Sequence, residues 1–228
     1  MTELLNQLKI LSKIYPLEGY TWGIDKNCPL LIPEGMSEFE QNVFLKENFA
    51  PLLDHDTNLD NHYWIINEWG KIRSFKRTPN NDSKILEFNK RLQSGKLTRT
   101  SFDLISSLSK IASFKDPMNF AIYDSRAVYA LNWLLFRYSP ELKLFPQPAG
   151  RNSEMSKFDQ GTIFRLSGQP FEYESHKDAY HSYCDLLKQL SHEVYGDKRP
   201  FNIEMLLFQI GPEHIVNDIK NSVKLTIN

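Results

Sequence analysis

Residues 119–135 read NFAIYDSRAVYALNWLL, a short apolar run that stops at Asp124 and turns at once into a helical pattern. Beyond the aspartate, Val128, Leu131, Leu135 and Tyr138 recur at three- and four-residue spacing, which places them on one face of a helix. Asp124 has the chemistry of an N-cap: its carboxylate can accept one of the backbone N–H groups that a first helical turn leaves unpaired. Capping is the ordinary role of such a residue. The positive end of the helix dipole also favours the ionised carboxylate, so the same side chain can cap a helix and present a fixed negative charge.

Helical spacing recurs on both sides of this stretch, and strand alternation does not. Ser37 followed by Glu40 has the spacing of a capping box and predicts a helix to about Ala50. A second helix is expected from Asp56 or Thr57 to Gly70, and a third from an N-cap at Asp82 to Gly95. Leu104, Leu108 and Ile111 mark another, broken before Pro117. Tyr183, Leu186, Leu187, Leu190 and Val194 mark a long helix, and Ile203, Leu206, Leu207 and Ile210 a last strong one that Gly211-Pro212 should end. Eight or nine helices and an all-α fold follow. Residues 139–174, rich in proline at their start, carry no assignment.

With 228 residues, 41% hydrophobic, 13% aromatic and 24% charged, the chain has the composition of a folded protein rather than a disordered or fibrous one. Cys28 and Cys184 stand alone, so no disulfide framework or cysteine-rich metal motif is present and a reducing cytoplasm is the expected location. Leu4, Leu8 and Leu11 share a helical face with polar residues between them, unlike a secretory signal, and no stretch is long and apolar enough to span a bilayer. The histidines are scattered, with His176 and His181 missing the helical metal spacing, and nucleophile-elbow and glycine-rich phosphate motifs are absent. Neither metal nor cofactor is expected.

The net charge is −1, but it is unevenly spread: Lys71 to Lys110 holds ten basic residues against three acidic ones. Such segregation suits a face that neutralises phosphates, with Arg73, Lys76 and Arg77 as candidate contacts, although a solvated helix surface has the same look. Tyr63, Trp64 and Trp69 are large enough to stack on an extruded base, and equally suited to a core.

Taken together, LISSLSKIASFKDPMNFAIYDSRAVYAL (104–131) and RPFNIEMLLFQIG (199–211) resemble the helix-hairpin-helix DNA glycosylase superfamily, and more closely its prokaryotic 8-oxoguanine DNA glycosylase-like branch. The resemblance covers about thirty central residues and the short C-terminal motif. It implies a two-lobed helical bundle with the site between lobes, one spanning 37–138 and the other 1–36 plus 139–228. It implies that the hairpin grips DNA through Ser106, Ser107 and Ser109, where glycine is usual, that Lys110 opens the second hairpin helix as an attacking amine, and that Asp124 assists loss of the base. The implied partner is double-stranded DNA carrying a modified base, an oxidised purine or a hypermodified base of phage DNA, bound by a monomer. Chemistry wants the same residue types: breaking an N-glycosidic bond builds positive charge on the sugar, which a shielded carboxylate stabilises. The residues alone also accommodate a non-catalytic DNA-binding or damage-sensing module, or a helical interaction domain without nucleic acid.

Overall fold

A computed structural model describes residues 1–150 and 152–224, and the described residues contain no β-strand. Helix α1 (Thr2–Ile14) is followed by a long connection, then α2 (Glu38–Asn48), α3 (Ala50–Asp54) and α4 (Asp60–Trp64), which runs on into a π-turn at Ile65–Trp69. Next come α5 (Pro79–Leu92), the one-turn α6 (Arg99–Asp103), α7 (Ile105–Lys115) and α8 (Ser125–Tyr138). The stretch left unassigned above holds two short helices, α9 (Ser153–Ser156) and α10 (Gln160–Leu166), and a two-residue bridge pairing Leu144 with Tyr173. The chain closes with α11 (Ala179–Tyr195), α12 (Pro200–Ile210), a second π-turn at Gly211–Ile215 and α13 (Val216–Ser222). Among the described residues the helices number more than expected because several are single turns.

The capping box is formed as its spacing requires. Ser37 Oγ accepts from Glu40 N, and Glu40 Oε2 accepts from Ser37 N at 2.8 Å. Ser37→Ala should therefore cost about 1 kcal/mol, measured as a lowered midpoint in urea unfolding.

Three boundaries differ from the expected ones. The helix assigned to an Asp82 cap begins a turn earlier, with Thr78 as N-cap and Pro79 in the first turn, and Asp82 instead accepts from Tyr63 Oη at 2.7 Å. The helix expected from Asp56 or Thr57 begins at Asp60, because Asp56 turns its carboxylate onto His62 N and Nδ1. Pro212 does not end the C-terminal helix, since the wider π-winding accommodates the missing proline N–H and the chain continues into α13. That turn presses on the start of α8: a Cβ on Gly211 would lie 2.8 Å from Arg126 O, so only glycine permits the approach.

Helices α8 and α12 are apolar nearly all round and lie at the centre of the molecule, with Ala127–Phe136 and Pro200–Leu207 buried. They pack on each other, and α11 covers α12 from another side. Helix α8 keeps company chiefly with α12, the second π-turn and α1, whereas α7 packs against α2 and the first π-turn. The segment joining α7 to α8 therefore passes from one group of helices to the other.

Candidate functional site

The last part of that joining segment, residues 121–123, is buried, yet it has no sheet to satisfy its backbone. Side chains do so instead. Ser109 Oγ accepts from Tyr123 N at 2.9 Å, Ser106 Oγ donates to Tyr123 O at 3.4 Å, Tyr180 Oη donates to Ala121 O at 3.0 Å, and Tyr183 Oη donates to Ile122 O at 3.0 Å. Helices α7 and α11 thus clamp residues 121–123 from two sides. Immediately after the clamp, Asp124 caps α8, its Oδ1 accepting from Arg126 N at 2.8 Å.

The clamp delivers Asp124 to the wall of a cavity of about 540 Å³, and Lys110 lines the same cavity. Lys110 sits in the second turn of α7, 5% exposed, with Nζ donating to Ser106 O at 2.7 Å. No ion pair within 4 Å ties it to Asp124 among the described residues. Burial pulls the Lys110 ammonium below its ordinary pKa, and the charges of Asp124 and Glu204 draw it only partly back. The amine is therefore easier to deprotonate than a surface lysine.

One wall is aromatic. Trp22 Nε1 donates to Trp69 O at 2.8 Å, Trp69 Nε1 donates to Asn42 Oδ1 at 2.9 Å, and Asn42 Nδ2 returns a bond to Trp22 O at 2.8 Å. Phe208 meets Trp22 edge-on with ring centroids 5.6 Å apart. Two cations border this wall: Lys71 Nζ lies 4.2 Å from the Trp22 ring centroid, and the Arg126 guanidinium 4.6 Å from that of Phe208. Lys71 reaches its position through a left-handed backbone, φ 55°.

A second carboxyl faces the cavity. Glu204 of α12 is 1% exposed, and its Oε2 has no hydrogen-bond partner. Burial pushes its pKa up, Lys46 draws it back, Asp124 pushes it up and Lys110 draws it down, leaving it at about 7. Lys46, fully buried, donates to Ser113 Oγ at 3.1 Å and lies between the rings of Trp69, Phe114 and Phe201. Among the described residues no three His, Cys, Asp or Glu side chains gather as a metal would require.

The residues singled out from sequence are dispersed by this geometry. Asp124, Lys110, Ser106, Ser107 and Trp69 line the cavity. Ser106 and Ser107 also border a neighbouring hollow with Arg99 and His176. Ser109 is fully buried and bonded to Tyr123, so it holds the scaffold. The expected LISSLSK hairpin is displaced: the joint falls at Leu104, between α6 and α7, and Lys110 lies inside α7 rather than at its start. Tyr63 is engaged with Asp82 and packs on Phe75, and Trp64 stacks on Phe49 with centroids 5.4 Å apart, so neither borders the cavity. Arg73 and Lys76 are exposed, while Arg77 is held by Asp60 and Asn58 O above the Tyr63 ring. Two further bases of the stretch are paired locally, Arg91 with Glu87 and Arg99 with Asp103.

Sequence reasoning missed Trp22, Phe208, Lys71 and Glu204. Only Glu204 leaves a local sign, as the single acid inside the apolar run FNIEMLLFQI. Comparisons with protein-family models, with curated proteins and with solved structures find no match.

Proposed function

We propose that this chain is a DNA glycosylase of helix-hairpin-helix type, which binds duplex DNA, turns a modified nucleotide out of the stack and cuts its N-glycosidic bond. The observation that carries the reading is the meeting of Asp124 and Lys110, held by different helices, on one partly enclosed cavity with an aromatic wall. A volume of about 540 Å³ is within the range of small-ligand sites and suits an extruded base with its sugar. The short α6, the one-residue joint at Leu104 and α7 lie just ahead of the expected hairpin, and Ser106 and Ser107 in the first turn of α7 border the cavity. Lys71 puts a cation on the cavity wall, and Arg73 and Lys76, close to it in the chain, are exposed to a phosphate backbone.

In this reading the C1′–N bond breaks with its electron pair leaving on the base, and the positive charge developing on the sugar faces the Asp124 carboxylate. The Lys110 amine, which burial makes easier to deprotonate, attacks C1′ and opens the route to a Schiff base. The test is mass spectrometry of bases freed from a panel of damaged duplexes and modified phage DNAs. Release of one modified base is expected. Salt-sensitive binding to every duplex with no base released would leave a DNA-binding module and overturn the enzymatic reading.

A further inference from the structure

We propose that Glu204 is a second catalytic carboxyl of this cavity, handing its proton to the base as the glycosidic bond breaks. The inference rests on the glycosylase reading. Three observations converge on it: Glu204 lines the cavity that Asp124 and Lys110 share, its Oε2 is buried without a partner, and no ion pair within 4 Å neutralises it among the described residues. A carboxyl kept only for structure would be paired or hydrogen-bonded, because leaving one bare in the interior costs free energy. Lys46, its buried cationic neighbour, spends its contacts on Ser113 and three aromatic rings instead.

The surroundings keep the group protonated into the neutral range. Lys46 from α2 and Lys110 from α7 favour its anion, while burial and Asp124 at the start of α8 favour its acid, and it titrates at about 7. Tyr20, Tyr180, Tyr183 and Cys184 also feel its charge, and burial holds all four above their ordinary values, so they stay neutral as Glu204 titrates. The division of labour is that of two carboxyls whose environments differ: Asp124 meets the cationic sugar and Glu204 supplies the acid.

The step balances. The C1′–N pair leaves on the base, the Glu204 proton joins that nitrogen or an oxygen conjugated with it, and the neutral Lys110 amine gives its lone pair to C1′. Neutral base departs, leaving a Glu204 carboxylate beside a C1′-bound ammonium. One of the two protons on that nitrogen then passes to solvent, and the Glu204 carboxylate regains its proton from solvent after the base has left.

The test compares wild type and Glu204→Gln on two probes: a duplex carrying 8-oxoguanine, or the panel member that yields base in its stead, and a duplex carrying an abasic site trapped with borohydride. Glu204→Gln should release base about 100-fold more slowly. It should also lack the fall in wild-type rate as pH rises through about 7, where the acid is lost. It should trap the abasic duplex as wild type does, since no base remains to be protonated, which also shows that the variant is folded. Equal base release with the same pH profile overturns the role of Glu204 alone. Parallel loss of release and trapping also overturns it, marking Glu204 as a support for Lys110. A wild-type protein that frees no base overturns the glycosylase reading, and this inference with it.

Discussion

Asp124→Asn is expected to slow base release about a thousandfold while binding the same duplex and unfolding at the same urea concentration. Asparagine caps a helix as well as aspartate does, so the bond from Arg126 N to Oδ1 at 2.8 Å has a ready substitute and α8 keeps its start. Only the charge is removed. Because the cavity is walled by α7, α8, α12 and the Trp22 segment, a nucleotide filling it would leave little room for water to replace that charge opposite a cationic sugar. DNA affinity should hold or rise slightly, since a negative charge has left a surface that meets phosphates. Release at the wild-type rate from the well-folded variant would reduce Asp124 to a cap.

Gly70→Ala is expected to cost about 2–3 kcal/mol of stability and to abolish borohydride trapping even at temperatures where the variant is folded. A Cβ at this position would lie 2.6 Å from Ile66 O and 2.6 Å from Lys110 Cδ. The carbonyl belongs to the π-turn, so the backbone there must shift, and the Lys110 side chain must move as well, and with it Nζ. Backbone conformation is not the issue, because Gly70 has a φ of −77°, open to any residue. Gly23→Ala is the control, as an added Cβ there meets nothing within 4 Å. Trapping by Gly70→Ala equal to that of the control would show that Lys110 can attack from another place.

The parts of this fold that the sequence announces are those whose signals are local. The Ser37 box, the Asp124 cap and the apolar faces of α8, α11 and α12 all arise from residues within a turn or two of one another. Two of the three misplaced boundaries have one physical source: a side chain able to cap was used elsewhere, Asp82 for Tyr63 and Asp56 for His62. The resemblance puts Ser106 and Ser109 in a phosphate-gripping hairpin, yet their hydroxyls are spent across the molecule on Tyr123. Of the site, Asp124 and Lys110 were readable. Trp22 and Phe208 were not, because each acquires its role only by meeting residues far along the chain.

That dependence on distant parts of the polypeptide governs when the cavity can exist. Tyr20 and Trp22 are made long before the Phe208 ring they pack against. A nascent chain that has not passed α12 has its first aromatic wall unsupported and lacks the Glu204 carboxyl. The cavity cannot close before α12 is made, so chains that stop short of it carry Lys110 and Asp124 without their enclosure.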